Sequence, residues 1–259
     1  MDLAELFSIR GKTAVVTGGS RGIGRMIATG FVSAGARVYI CARKAEACDA
    51  AAAELSKVGD CISIPADLST VAGVEAFASR VAALEPKLDI LVNNAGAAWG
   101  APLEEYPDSA FDKVLSVNLK GIFHLTRLLL PLLRAAATES DPASVINIGS
   151  VDGLRVPITE NYAYSASKAA VHMLTRHLAR TLVGDHVNVN AIAPGLFPSR
   201  MTAYLFESEH AEEVVGDIPM KRAGTAEDIA GTAIYLSSRA GAYLTGVVLP
   251  VSGGIATID

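Results

Sequence analysis

Short apolar runs recur along this chain, each continuous rather than alternating, and segments of helical spacing separate them. A strand that is apolar on both faces has to be covered on both faces. Runs of this kind, joined through helices, call for a parallel sheet with helices above and below it. The runs are Lys12–Thr17, Arg37–Cys41, Cys61–Pro65, Leu88–Asn93, Ser144–Gly149, Val187–Ile192 and Gly246–Val251. Helical spacing covers Gly22–Ser33, the stretch from Lys44 to Lys57, Val71–Leu84, the stretch from Ser109 to Ala136, Tyr162–Val183 and Ala226–Ser237. The alternation predicts an α/β, doubly wound Rossmann fold of about seven parallel strands with helices on both faces. No linker, low-complexity stretch or repeat interrupts it, so residues 1–259 read as one domain.

Composition removes several functional classes. Apolar residues make up 51% and charged residues 19%, which excludes a disordered chain. The net charge is −5 and no basic cluster exceeds two residues, which argues against a nucleic-acid partner. No apolar run reaches the ~18 residues of a membrane span. The longest, Gly121 to Leu133, is interrupted by His124, Arg127 and Pro131. Met1–Glu5 is acidic and lacks the order of a signal peptide. Cys41, Cys48 and Cys61 form an odd set without metal-ligand spacing. They read as reduced thiols of a cytoplasmic protein without a metal site.

The first strand runs into Thr17-Gly18-Gly19-Ser20-Arg21-Gly22-Ile23-Gly24, which opens the first helix. Gly18 permits a tight turn, and Gly22 and Gly24 clear space for a pyrophosphate at the helix N-terminus. A glycine turn alone is a weak signal; strand before and helix after make it a dinucleotide site. An NAD site usually carries a carboxylate at the end of the second strand. Here that end reads Cys41-Ala42-Arg43-Lys44. Arg43, with Arg21 from the glycine turn, suits a ribose 2′-phosphate, which favours NADP(H) over NAD. Asp67, in Ala66-Asp67-Leu68, is placed to bond adenine, though it could equally begin a helix, as could Ser69 or Thr70. Asn93-Asn94-Ala95-Gly96 follows the fourth strand, and its small residues let backbone lie against adenosine.

Tyr164-Ser165-Ala166-Ser167-Lys168 sets a phenol and an ammonium at i and i+4 on one helical face. A free phenol, with a pKa near 10, is a poor proton donor or acceptor at neutrality. A nearby cation favours the phenolate and should lower that value. Lys168 can do this and also bond a nicotinamide ribose; Tyr162 faces elsewhere. Ser150 ends the fifth strand at the same sheet edge and can bond a substrate oxygen as charge builds on it. Asn118, a poor helix former inside the long helix, is suited to holding a water for proton relay.

These pieces make the chain resemble the short-chain dehydrogenase/reductase family over essentially its full length. The resemblance rests on Thr17 to Gly24, Asn93 to Gly96, Asn118, Ser150, Tyr164-x-x-x-Lys168 and Pro194-Gly195. It implies a catalytic set of Asn118, Ser150, Tyr164 and Lys168, with Tyr164 as acid/base. It implies nicotinamide contacts from the backbone of Ile192 to Ser199, among them Pro194, Gly195, Phe197 and Ser199. Ser199 stands where the family usually has Thr. The tail, Thr245-Gly246 to Ser252-Gly253-Gly254, is similar to a family signature that packs in tetramers, which implies a homotetramer.

The same residues imply an oxidoreductase interconverting a ketone and a secondary alcohol. Val151–Ala163 and Pro194 to Thr202 resemble the NADPH-dependent β-ketoacyl reductases of rhamnolipid synthesis. Leu6-Phe7-Ser8 and Arg43-Lys44 resemble sugar-acid dehydrogenases of the gluconate type. The segment at about 196–220, after a sheet strand, reads as a substrate lid. Trp99, Leu154, Leu196, Phe197, Leu205 and Phe206 favour an acyl or hydrophobic ketone over a bare sugar, unless Trp99 merely fills the core. A catalytically silent NADP sensor and an isomerase or dehydratase are the rivals from other classes. The intact tetrad argues against the first, and the short chain against the second.

Overall fold

The computed structural model describes residues 1–206 and 211–258. Seven strands form one parallel sheet: β1 (Thr13–Thr17), β2 (Arg37–Cys41), β3 (Cys61–Ser63), β4 (Ile90–Asn93), β5 (Ala143–Ile148), β6 (Val187–Pro194) and β7 (Val248–Val251). Their spatial order is β3-β2-β1-β4-β5-β6-β7. The order reverses between β1 and β4, and a crevice opens there beyond the carboxyl ends of the strands. The Rossmann-type fold expected from the apolar runs is the fold observed.

Helices α2 (Gly22–Ser33), α3 (Ala45–Leu55) and α10 (Ala226–Ser237) cover one face. Ile27, Phe31, Ile40, Ile90 and Ile229 belong to the buried cluster on that side. Helices α4 (Val71–Leu84), α5 (Asp108–Leu115), α6 (Ile122–Ala136) and α7 (Tyr162–Leu182) cover the other. Phe77, Leu91, Leu125, Leu129, Leu133 and Val189 belong to its cluster. Burying the strands on both sides is what their unbroken apolar runs require. A four-residue helix, α1 (Leu3–Leu6), precedes the sheet; α8 (Ala203–Phe206) and α9 (Ala211–Gly216) follow β6.

Boundaries set by local chemistry fall where the sequence puts them. Thr70 accepts a hydrogen bond from Gly73 N at 3.1 Å and starts α4. Thr225 and Asp228 form a capping box that starts α10. The expected single helix from Ser109 to Ala136 is instead α5 and α6 joined by a π turn over Ser116–Gly121. β6 runs on to Pro194 because that residue pairs with Val251 of β7. β7 is the sheet edge and only half-buried.

Candidate active site

The glycine turn at the end of β1 has the backbone that the sequence requires. Gly18 and Gly22 have φ of +68° and +54°, where a β-carbon is strained. A β-carbon on Gly24 would lie 2.4 Å from Asn94 Nδ2 and 2.5 Å from Gly18 O, so no side chain fits there. No side chain caps the first turn of α2, although Arg21 occupies the N-cap position. The amides at that N-terminus are therefore free to meet an anion. Ser20 and Ile23, within the same turn, are partly exposed.

Thr17 locks this turn to the end of β4. Its Oγ1 accepts from Asn94 N at 2.8 Å and Ala95 N at 2.9 Å. Asn94 Nδ2 in turn donates to Thr17 O at 2.8 Å. Asn93 ties β4 to β5 by donating to Asn147 Oδ1 at 2.9 Å. The free amides, the cleared β-carbon positions and this rigid floor together fit a pyrophosphate. Arg43 and Arg21 are both exposed, and neither forms an ion pair among the described residues.

Asp67 has a local task. Its Oδ1 accepts from Ser69 N at 3.0 Å and Ser69 Oγ at 2.7 Å, shaping the turn into α4, while Thr70 is the cap. Only its other oxygen is left for a ligand. Leu68 is buried in the core. Phe197 is 2% exposed, its ring against Gly224, so any ligand contact from that position comes from backbone. Thr202 holds this loop, donating to Phe197 O at 2.7 Å and accepting from Ser199 N at 3.0 Å. Gly195, beyond the buried Pro194, lies against Ser252 of the tail.

The four residues of the expected tetrad form a connected group. Ser150 follows β5, and its Oγ accepts from Asp152 N at 3.1 Å. Ser150 lies near enough to the Tyr164 phenol to favour its ionised form. Lys168 Nζ donates to Ile148 O at 2.7 Å and lies 5.5 Å from the centre of the Tyr164 ring. Asn118 Nδ2 donates to Ser167 Oγ at 2.9 Å, and Ser167 Oγ donates to Tyr164 O at 2.7 Å. Asn118 also accepts from Ala97 N at 2.8 Å and donates to Ala97 O at 2.9 Å. The π turn brings it to that backbone, so the helix irregularity serves the site. Near Gly96, a β-carbon would sit 3.3 Å from Asn118 Oδ1.

One electrostatic expectation is corrected. The sequence reading has Lys168 lowering the Tyr164 pKa. In the structure burial pushes the phenol up to about 12, and nearby Ser150 only partly opposes it. Burial likewise pushes Lys168 down to about 8. Desolvation penalises both charged forms more than the partners present relieve them. Cys41 and Cys61 are also pushed up to about 12 by burial, so these thiols stay protonated. Among the described residues no group of three or more His, Cys, Asp or Glu could hold a metal.

Sequence reasoning assigns no individual role to Thr17, Ser167, Thr202 or His172. The first two adjoin motif residues and carry hydroxyls, a usable signal; the others are visible only through tertiary contacts. His172 lies one turn beyond Lys168 and is 3% exposed. A β-carbon at Gly149 would lie 2.1 Å from its Nε2, and one at Gly153 2.9 Å from its Cε1. The ring thus supports the arch that carries Ser150. Burial pushes its pKa down to about 4, and the Gly153 backbone offsets this only in part. Unfolded, the same group takes up a proton near pH 6.5, so stability is full above that value and is lost as pH falls toward 4. The loss expected is about 3 kcal/mol. Urea unfolding across this window should show a steeper acid loss for the native chain than for His172→Leu; equal slopes would contradict the assignment.

A cavity of about 410 Å³ lies apart from the tetrad, between Phe197, Met220, Thr232 and the tail at Gly253. Arg222 and Asp228 face it but neutralise each other, with N–O distances of 2.6 and 3.0 Å. None of Asn118, Ser150, Tyr164 and Lys168 lines it.

A nucleotide turn and a Ser–Tyr–Lys group on one sheet edge define a dinucleotide-dependent oxidoreductase site. A family model described as short chain dehydrogenase matches residues 12–210, and the chain belongs to that family. It is 54% identical over 249 residues to a rhamnolipids biosynthesis 3-oxoacyl-[acyl-carrier-protein] reductase of Pseudomonas aeruginosa, covering 96% of this chain and 97% of that one. The solved RhlG/NADP active-site complex of P. aeruginosa superposes with a TM-score of 0.95 at 53% identity, over 97% and 99% of the two chains. A 2-dehydro-3-deoxy-D-gluconate 5-dehydrogenase of Pseudoalteromonas atlantica is 37% identical over 255 residues, covering 97% and 98%.

Proposed function

We propose that this chain is an NADP(H)-dependent reductase of 3-oxoacyl thioesters. One observation carries the reading of the chemistry: Lys168 is held by Ile148 O at the end of β5, near Ser150, with its ammonium 5.5 Å from the centre of the Tyr164 ring. The choice of NADP(H) is supported by Arg21 and Arg43, exposed and without an ion pair among the described residues, and by the NADP held in the P. aeruginosa complex. The choice of a 3-oxoacyl substrate is supported by the 54% identity to a reductase of that class, against 37% for the gluconate-type relative.

When bound, the nicotinamide supplies the hydride. The chain's own groups handle the oxygen. Ser150 and Tyr164 are the hydroxyls that would hold a ketone oxygen. Tyr164 would give that oxygen a proton as the C=O π pair moves onto it. Burial keeps the phenol protonated at neutral pH, the form that can give a proton to the oxygen. Lys168 then supplies the tyrosinate with positive charge and, through its ammonium, a route for a replacement proton. Asn118 acts through Ser167 and Ala97, fixing the start of α7 against the loop after β4.

The substrate lid at about 196–220 is proposed on its position after β6; residues 207–210 lie outside the described residues. A homotetramer is proposed on the family-like tail and on the half-buried edge strand β7, beside which Tyr243 is fully exposed. No described helix is long and apolar enough to cross a membrane. A cytoplasmic location is proposed on the three reduced, buried cysteines.

The test is NADPH oxidation with acetoacetyl thioester and, in parallel, a sugar ketoacid. Turnover of the thioester at least tenfold above the ketoacid is expected. The reverse ranking would move the assignment to the gluconate type, and no turnover of any ketone would support the silent sensor.

A further inference from the structure

His172 is buried on α7, one turn beyond Lys168, and takes no part in the chemistry described above. Nδ1 and Nε2 are both buried, and neither makes a hydrogen bond among the described residues. An imidazole stripped of water at both nitrogens costs stability that an aliphatic side chain would not, so its place needs a reason. The ring lies against the arch that carries Ser150. Gly149, where the arch leaves β5, donates its N–H to Ile192 O at 2.7 Å. Gly153 closes the arch by donating its N–H to Ser150 O at 3.1 Å. A β-carbon on Gly149 would lie 2.1 Å from His172 Nε2 and 2.7 Å from its Cδ2; the next atom, Ile192 O, is at 3.3 Å. One on Gly153 would lie 2.9 Å from His172 Cε1 and 2.6 Å from the backbone carbon of Lys168. Neither glycine has a positive φ, so at Gly149 it is the ring, not the backbone, that demands glycine. Lys168 and Arg176 on the same helix oppose charge on the ring, the Asp152 carboxylate of the arch is bound by Asn161, and β5 and β6 carry no titratable side chain. The ring is therefore a neutral, flat wedge between the two ends of the arch.

We infer that His172 is a positioning residue for ketone reduction: its ring sets where the arch holds the Ser150 hydroxyl relative to Tyr164. The inference rests on the role proposed above for Ser150. Lys168 Nζ donates to Ile148 O at 2.7 Å, one residue before Gly149. Helix α7 thus meets the chain at two consecutive residues, by a hydrogen bond at Ile148 and by the wedge at Gly149. Tyr164, Lys168 and His172 follow one another at single-turn spacing, so one helix places the phenol, the ammonium and, through the wedge, the serine. A displacement of about 1 Å at a reacting group is enough to cost about 10²-fold in rate.

The test is a double-mutant cycle between His172→Ala and Ser150→Ala, read as kcat on acetoacetyl-coenzyme A and as NADPH affinity by fluorescence titration. His172→Ala is expected to lower kcat about 10- to 100-fold and to change NADPH affinity less than about twofold. Ser150→Ala alone is expected to lower kcat by about 10²-fold. In the Ser150→Ala background, removing the ring is expected to cost less than about twofold more, because no hydroxyl is left to misplace. The same fractional loss in both backgrounds would show that the ring only supports α7; it overturns the inference and leaves the Ser150 reading standing. Native kcat in a folded His172→Ala variant does the same. A second cycle uses the space of the ring. Gly149→Ala alone is expected to lower kcat at least about tenfold, and adding His172→Ala to raise it again about threefold or more, since the new methyl then meets no ring. A further loss in that pair also overturns the inference. If His172→Ala does not fold, His172→Leu, which fills the space without the flat edge, takes its place in the first cycle with the same expectations. Full activity of Ser150→Ala, or a native chain that reduces no ketone, removes the underlying reading and the inference together.

Discussion

Replacing Tyr164 by Phe is expected to lower ketone reduction by about 10³-fold or more while NADPH affinity changes no more than about threefold. The substitution removes one oxygen and leaves the ring in place. Ser150 keeps its bond from Asp152 N, and Lys168 keeps its bond to Ile148 O, so the arch and α7 should hold their positions. Among the tetrad the phenol is the group suited to give a proton beside Ser150. Without it the incoming negative charge has only the Ser150 hydroxyl to meet it. Steady-state reduction and fluorescence titration of NADPH check the two halves separately. Turnover within tenfold of native would take proton transfer away from Tyr164. A loss of NADPH binding would show instead that the ring is structural.

Replacing Arg43 by Ala should weaken NADPH by about 10- to 100-fold, the worth of a charge-assisted hydrogen bond to a phosphate. NADH should change by less than about twofold. Arg43 stands just beyond β2, where an NAD-specific site would hold a carboxylate. It is exposed and forms no ion pair among the described residues, with only a longer-range attraction to Asp67, so the fold should not register the change. Comparing KM for the two cofactors measures the difference directly. Equal weakening of both would mean that Arg43 supports the pocket rather than reading the 2′-phosphate, and Arg21 would become the candidate reader.

Both variants rest on residues picked out from the sequence, and the reason is physical. The glycine turn, the i, i+4 pair Tyr164–Lys168 and the caps at Thr70 and Thr225 involve atoms a few residues apart. Their geometry follows from backbone rules acting over one turn. Continuous apolar strands likewise force a two-faced sheet without reference to any particular partner. The alternation was therefore enough for the fold and for the edge on which the site lies.

Other features needed atoms from distant segments. The π turn at Asn118 is set by Ala97, twenty-one positions earlier, through two hydrogen bonds. Asn118 was noticed as a misfit inside a helix, but its partner was not legible. Asp67 was read as an adenine ligand or a helix cap; its bonds to Ser69 and the cap at Thr70 follow from the turn that actually formed. Trp99 was open to a core reading and lies on the surface.

The amino-acid order alone determined which groups exist to do the chemistry and on which edge of the sheet they meet, because strand period and helix period are local. The state of those groups was decided only by the tertiary structure. A phenol beside an ammonium should be more acidic on spacing alone. Packing from β5, α7 and the loop between them strips water from both, and that desolvation moves Tyr164 up and Lys168 down. Desolvation depends on everything that surrounds a group, so no short stretch of sequence contains it.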